Sequence, residues 1–384
     1  MEKVDIANQY NLPEEVRYCK KCVISNQRPR IVFDDEGVCY ACRFAEYKHN
    51  DVDWDERDRQ LRELLDKHRR SDGGHDIIVP SSGGKDSDNV AHKLKHEYGM
   101  NPLTVTWAPH LYTTIGWENF RALVDAGFDN VMGHPNGQMY RKLTRLATIE
   151  IGDPFQPFIY GQILFPLQVA FKHDIKLIFS GENGEAEYSG NPDAWDHPGF
   201  SIEDYKSLWF SDVPVESWLE KGFSRKDLAL LLPPEPEVLE KANIERYFWS
   251  YFQKWIPQEN FYYASEHCGF KPNPEGRSEG TYTKYTSLDD RIDGFHYYFM
   301  LLKFGIGRAT SDAAHEIRDG HITREEAVAL VNRYDTEFPN EYFDTFLEYC
   351  NFTEDEFLEV VERWRNESLW KKAGNDWQLK QSVK

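Results

Sequence analysis

The sequence predicts an α/β protein: a mainly parallel sheet covered by helices on both faces, preceded by a small cysteine-rich lobe and followed by a helical region. Three observations predict it. Between residues 76 and 181, short apolar segments alternate with segments of helical period. A glycine-rich run, SSGGKDS at 81–87, directly follows the first of those apolar segments. Two C-x-x-C pairs, Cys19/Cys22 and Cys39/Cys42, lie close together near the start of the chain.

The elements follow in order. Residues 1–50 form the cysteine lobe. Its spacing, Cys19-x₂-Cys22-x₁₆-Cys39-x₂-Cys42, suits a closed four-thiolate metal site. So small a lobe buries little core, so a metal would hold it together. Zinc is expected there, and the spacing also admits an iron–sulfur cluster. Residues 51–190 form the α/β core. VDWDERDRQLRELLDKHRR (52–70) places Trp54, Leu61, Leu64 and Leu65 on one side of a helix, and SDGG at 71–74 ends it. Strands are expected at 76–80, 102–108, 128–134 and 176–181, with helices near 86–98, 116–126, 137–150 and 157–173. Short apolar strands in this order fit a sheet buried on both faces. Ligands bind such sheets beyond the carboxyl ends of the strands, so the loops at 81–87, 108–116 and 181–190 are expected to converge. Residues 191–288, rich in Trp, Tyr, Phe and Pro with weak periodicity, read as an insertion closing over the site. Residues 289–384 read as a helical C-terminal region. TREEAVALVNRY (323–334) and TEDEFLEVVERWR (353–365) each open with a capping box, and the polar last dozen residues are expected to fray.

Composition narrows the function. The formal net charge is −20, which repels polyanions and argues against nucleic acid as a partner. No run of about 18 apolar residues appears, so no membrane span is expected. The start, MEKVDIANQY, lacks a basic-then-apolar leader, and a cytoplasmic location is expected. In that compartment paired cysteines point to metal rather than disulfides.

The loop at 81–87 carries the chemistry. A Walker loop needs a hydroxyl residue directly after its lysine to hold magnesium. Here Asp86 follows Lys85, and Ser87 comes next. The run S-G-G-K-D-S after a buried strand resembles instead the pyrophosphate (PP) loop of the ATP pyrophosphatase superfamily, also called adenine nucleotide alpha hydrolase-like. That resemblance implies cleavage between the α and β phosphates of ATP. Gly83 and Gly84 allow close backbone approach, the following helix N-terminus points its N–H groups at an anion, Ser81, Ser82 and Ser87 lie in the loop with them, and Lys85 adds a charge. LIFSGENGEAEYSG (177–190) resembles a segment of asparagine synthetase in the same superfamily. Gly181 and Glu182 are then expected beside the nucleotide, and Glu185 or Glu187 is a candidate magnesium ligand. Lys85, Asp86, Ser87 and Glu185 are the expected catalytic residues.

A four-cysteine knuckle with such a loop occurs in the tRNA thiolases and in the N-acetyl sugar amidotransferases of lipopolysaccharide O-antigen and flagellin-sugar pathways. PRIVFDDEGVCYAC, VPSSGGKDS, YGMNPLTVTWAPHLYTTIGWENF, GDPFQPFIYGQ, GENGEAEYSG and GIGRATSDAAHEIRDGHITREEA resemble the second family, in order and over most of the chain. The alternative, a PP-loop tRNA sulfurtransferase, is disfavoured because no cysteine lies between Cys42 and Cys268 and the charge is acidic. The amidotransferase resemblance implies ATP, Mg²⁺ and Zn²⁺ as cofactors and a nucleotide-activated N-acetyl sugar as substrate. It also implies a separate glutaminase subunit, with a cyclase-like protein, as the ammonia source. The amide oxygen would be adenylylated and ammonia would then displace AMP, leaving an acetamidino group. Glu2 stands where an N-terminal-cysteine glutaminase needs its nucleophile, and no nucleophile elbow surrounds Cys268.

Further site candidates follow. Thr106 and Trp107 end the second strand, and the superfamily resemblance implies that adenosine lies against them. His110 and Asn119 in the following loop, and Asp153, Gln156, Tyr160 and Gln162 on a Pro-punctuated turn, are expected to face substrate. Lys284, Tyr285 and Arg291 could meet a phosphate or carboxylate of the sugar nucleotide.

Overall fold

The computed structural model describes residues 1–199, 213–374 and 376–384. Part of the aromatic-rich stretch, residues 200–212, therefore lies outside the described residues. In chain order the helices and strands begin with α1 (Ile6–Gln9), α2 (Tyr40–Asn50), α3 (Trp54–His68), β1 (Ile77–Pro80), α4 (Lys85–His96), β2 (Pro102–Trp107) and α5 (Thr114–Asp125). They continue with β3 (Asn130–Gly133), α6 (Gly137–Ile151), α7 (Gln156–His173), β4 (Leu177–Ser180), α8 (Pro236–Ala242), β5 (Glu245–Phe248), α9 (Trp249–Phe252) and α10 (Pro257–His267). The C-terminal region holds α11 (Asp293–Phe304), α12 (Arg308–Arg318), α13 (Arg324–Tyr334), α14 (Phe343–Cys350), α15 (Glu354–Trp364), β6 (Trp370–Ala373) and β7 (Asp376–Leu379).

The five strands β1 to β5 form one parallel sheet in the order β3-β2-β1-β4-β5. The strand order reverses between β1 and β4, which puts the glycine-rich loop at the topological switch point, where open parallel sheets bind ligands. The two-residue period of β1 divides the core. Ile78 faces a cluster with Leu103, Val105, Leu143 and Leu164, while Ile77 and Val79 face Leu61, Leu65, Val90 and Leu94. Each such buried aliphatic side chain contributes about 1.5–3 kcal/mol, and helices are thereby fixed to both faces of the sheet. Gly161 of α7 seats that helix on β2: a Cβ there would come 2.1 Å from the Trp107 ring.

A third core joins the two ends of the chain. Val23, Ile24, Val38 and Ala41 of the cysteine lobe pack with Phe295, Phe299, Phe346, Phe357 and Trp364. The lobe thus draws much of its packing from the C-terminal helices. Both expected capping boxes form, Thr323 with Glu326 and Thr353 with Glu356, and they start α13 and α14's successor α15. The chain end does not fray as expected. β6 and β7 form an antiparallel hairpin, Trp370 and Leu369 pack with Leu301, and Val383 is buried. Two tryptophans within a polar run supply the apolar area that the run's average polarity conceals. β5 was not expected either. Its four residues carry little period, and it forms an edge of the sheet by pairing with β4.

Candidate functional site

The glycine-rich loop leaves the carboxyl end of β1 and enters α4 at Gly84, an extended N-cap with no side-chain cap. The first N–H groups of α4 are therefore not capped by a side chain of that residue. Gly83 has φ +84°, and a Cβ there would lie 2.6 Å from the Phe120 backbone. The Ser81 and Ser87 hydroxyls lie 2.8 Å apart, and Ser87 donates to the Gly84 carbonyl at 2.9 Å. Lys85 Nζ donates to Asp86 Oδ2 at 2.6 Å. Asp86 Oδ1 accepts from Trp255 Nε1 at 3.0 Å and Asn260 Nδ2 at 2.8 Å. The residues following β5 thus lock the loop's acidic side chain.

Ser82, Lys85 and Asp86 open onto a cavity of about 300 Å³. Its other walls come from Phe155, Phe158 and Gln162 beside α7, Glu182 and Tyr188 after β4, Trp255, Pro257 and Gln258, and a long segment from Tyr285 to His321. That segment contributes Asp289, Asp293, Tyr297, Arg308, Asp312, His315, Glu316 and Asp319. The cavity is crowded with carboxylates, and the crowding shows in their proton affinity. Burial, with the Asp86 charge, pushes Glu182 up to about 7. Burial, with Asp293 and Asp290 beside it, pushes Asp289 up to about 6. Behind the cavity wall, Asp88, fully buried one turn into α4, is raised well above the carboxylate range by burial and by Asp86. Carboxyl groups held together in this way favour a proton or a cation between them. Asp312 pairs with Arg308 Nε at 3.1 Å and accepts from the Thr281 hydroxyl at 2.6 Å.

Of the residues singled out from sequence, the structure brings Ser82, Lys85, Asp86, Gln162, Glu182 and Tyr285 to this cavity. Tyr285 donates to Glu316 at 3.0 Å, and Lys85 Nζ lies 5.3 Å from its ring centre. Others are engaged elsewhere. Thr106 donates to the Ser81 carbonyl at 2.6 Å, tying β2 to the loop from inside the sheet. Trp107 is buried against α7, its indole N–H given to the Tyr140 hydroxyl. Asn119 bonds both the carbonyl and the N–H of Lys271. His110 pairs with Asp290 at 2.7 Å, both side chains fully buried. Asp153 meets His296 Nδ1 at 2.9 Å; burial opposes its charge, and His296 outweighs burial and holds it below the usual range. Gln156 is buried at the start of α7, and Tyr160 donates to the Val213 carbonyl in the core. Lys284 stands 5.0 Å from the Phe261 ring centre, and Arg291 donates to the Tyr112 carbonyl.

The two expected magnesium ligands have cationic partners here: Glu185 accepts from Arg30 Nη2 at 2.8 Å, and Glu187 accepts from Lys48 Nζ at 3.0 Å. Both carboxylates turn toward the cysteine lobe because residues 185–189 form a π-helical turn. The glutamate facing the loop is Glu182. Sequence reasoning did not single out Asp289, Asp293, Arg308, Asp312 and His315, which are distant from the loop in the chain; the last three lie within the family-like segment GIGRATSDAAHEIRDGHITREEA, the one signal that pointed to them.

The four cysteine sulfurs lie within 4.8 Å of one another and are buried. Cys19 and Cys42 sulfurs are 3.9 Å apart, and Cys22 and Cys39 sulfurs 3.7 Å. A tetrahedral zinc with Zn–S of about 2.3 Å sets its sulfurs about 3.8 Å apart, so the donor set fits zinc. Backbone N–H groups of Lys21, Cys22 and Cys39 donate to Cys19 Sγ, and Arg318 Nη2 lies 3.7 and 3.8 Å from the Cys22 and Cys39 sulfurs. These donors offset thiolate charge. The other two cysteines, Cys268 and Cys350, are buried and outside the cavity, and burial raises both thiols, Cys268 to about 12.

Residues 279–384 match the family model described as LPS biosynthesis protein WbpG-like, C-terminal domain. The similarity is to proteins of lipopolysaccharide biosynthesis. The matched segment covers the chain from just before Tyr285 onward, and so includes the cavity wall that runs from Tyr285 to His321. No curated protein matches the chain. Among the described residues, no helix is long and apolar enough to cross a membrane.

Proposed function

We propose that the protein is an ATP-dependent amidotransferase of lipopolysaccharide or related surface-glycan biosynthesis. It converts the acetamido group of a nucleotide-activated sugar into an acetamidino group. The observation that carries this reading is the composition of the cavity: one wall is the S-G-G-K-D-S loop at the switch point of a parallel sheet, and the facing wall belongs to the segment matching the lipopolysaccharide family model.

ATP supplies the adenylyl group that makes the amide oxygen a leaving group. The uncapped start of α4, the loop hydroxyls and Lys85 would receive the departing pyrophosphate, where negative charge develops. Asp86 and Glu182 would hold Mg²⁺, since a divalent ion relieves the repulsion that raises Glu182 and one or two carboxylates suffice for it. Asp289 and Asp293 remain to receive the cationic amidine product. Ammonia would come from a separate glutaminase partner, because neither Cys268 nor Cys350 lines the cavity. The same fact counts against sulfur transfer, for which a cysteine at the loop is needed.

The test is incubation of the purified protein with ATP, Mg²⁺, ammonium and candidate nucleotide-linked acetamido sugars. Formation of AMP and pyrophosphate is expected, with amide oxygen replaced by N–H in the product and a heavy-oxygen label passing from amide to AMP. ADP as product would defeat the reading. Lys85→Ala is expected to abolish turnover with the circular dichroism spectrum unchanged.

A further inference from the structure

A second cavity, of about 320 Å³, lies beside the cysteine cluster and is lined by Ala45, His49, Asn50, Ile317, Arg318 and Asp319 among others. Asp319 lines this cavity and the one at the loop as well. Its carboxylate is 1% exposed and meets His49 Nε2 at 3.1 Å and Lys48 Nζ at 3.4 Å. Lys48, itself 2% exposed, also binds Glu187. Burial opposes the charge on Lys48, but the Glu187 and Asp319 carboxylates outweigh it and hold its pKa above the usual lysine value. A single layer of polar side chains therefore separates a solvent-facing groove from the chemical site.

One turn before Asp319 on the same helical course stands His315. It is 6% exposed, lines the loop cavity, and its Nε2 has no hydrogen-bond partner. Its ring packs edge-on against Tyr188 and Trp255. Burial, together with Arg318, Lys48, Arg28 and Arg308, disfavours its imidazolium form, so it stands as a neutral ring whose unpartnered Nε2 can hydrogen-bond a small neutral molecule in the cavity.

We propose that the groove beside the cysteine cluster is the entrance for ammonia, that Asp319 is the passage between groove and site, and that the neutral His315 ring hydrogen-bonds the incoming ammonia and aims it at the reacting carbon. This rests on the amidotransferase reading. Ammonia adds to the carbon of the adenylylated, N-protonated imidate, forming a C–N bond as the C=N π pair moves onto the sugar nitrogen. The new ammonium nitrogen gives one proton to solvent. The C–O bond then breaks with its electron pair leaving on AMP, and the amidine remains as a cation. The order of groups from outside inward is then carboxylate, imidazole, reacting carbon, opposite to the loop that takes pyrophosphate.

The test separates the two half-reactions. Sugar-dependent exchange of labelled pyrophosphate into ATP reports adenylylation, and ammonium-dependent amidine formation reports the second half. Asn50→Trp, at the exposed rim of the groove, is expected to raise the KM for ammonium about tenfold while exchange proceeds at the wild-type rate. Asp319→Asn keeps the shape of the passage and is expected to raise the ammonium KM more than it lowers kcat. His315→Gln is expected to raise the ammonium KM about tenfold with exchange retained. An unchanged ammonium KM in both groove variants overturns the entrance, and an unchanged ammonium KM in His315→Gln overturns the positioning of ammonia by this ring. Failure of the wild-type protein to exchange pyrophosphate with any acetamido sugar would instead remove the amidotransferase reading itself.

Discussion

At the scale of single residues, the loop's shape depends most on Gly83. Its positive φ is one that side chains rarely adopt, and the Phe120 backbone occupies the place a Cβ would take. Neither neighbour is a flexible side chain that could move aside. Gly83→Ala is therefore expected to destabilise the protein by about 2–4 kcal/mol, from backbone strain and overpacking together. Urea denaturation measures this, and a loss well under 1 kcal/mol would mean the loop relaxes freely. The same scale explains the exchange of roles among the glutamates. Glu182, Glu185 and Glu187 are equivalent as letters in GENGEAEYSG. A residue's direction within an irregular turn depends on its partners, and here Arg30 and Lys48 of the cysteine lobe claim two of the three.

At the scale of elements, α4 and α10 form the scaffold of the loop. Asn89 of α4 donates to Asn260 of α10 at 2.9 Å, and Asn260 in turn holds Asp86. Farther along the same pair, His92 accepts from or donates to the Tyr263 hydroxyl at 2.9 Å and lies against His96 and His267. Burial, with His96, His267 and Lys95 adding positive charge, lowers His92 to about 4. The folded protein thus binds fewer protons at His92 than the unfolded chain between the ordinary histidine value of about 6.5 and about 4. Stability is accordingly expected to fall as pH drops through that window, and to be unaffected by this group above it. Thermal denaturation across the window should show a shallower acid slope in His92→Gln than in the wild type; an identical slope would remove His92 from the account. Glu97 and the Tyr263 hydroxyl, whose pKa burial and Glu97 raise, also face this contact.

At the scale of the molecule, the cysteine cluster is part of a core rather than an appended lobe. Its cysteines share a hydrophobic cluster with α11, α14 and α15, and Arg318 of α12 reaches two of its sulfurs. Loss of a ligand should therefore be felt far from the cluster. Cys19→Ser is expected to lower bound zinc, measured by metal mass spectrometry, and to raise hydrogen exchange in the C-terminal helices as well as in residues 15–45. Exchange confined to the N-terminal residues would show that the lobe opens alone. Retention of a full zinc equivalent would remove the metal assignment.

The parallel sheet, the loop at its first strand, the capped helices and the four-cysteine spacing were legible because each is a local pattern: an apolar run, a turn composition, an N-cap three residues before a glutamate, a ligand spacing. The positions of α4, α6 and α7 were readable within two residues of their observed ends for the same reason. The short edge strand β5 and the terminal hairpin were not, because their stability comes from partners outside their own sequence. The site divides along the same line. Lys85 and Asp86 announce themselves by neighbouring one another in a glycine-rich run. Asp289, Arg308, His315 and Asp319 acquire meaning only when α11 and α12 fold back across the sheet's carboxyl end. Sequence alone determined the composition of the first wall, since its glycines, hydroxyls and lysine are neighbours in one loop. Tertiary structure alone decided which carboxylates face it and which side chains line the opposite wall, since those depend on distances between residues that the chain holds far apart.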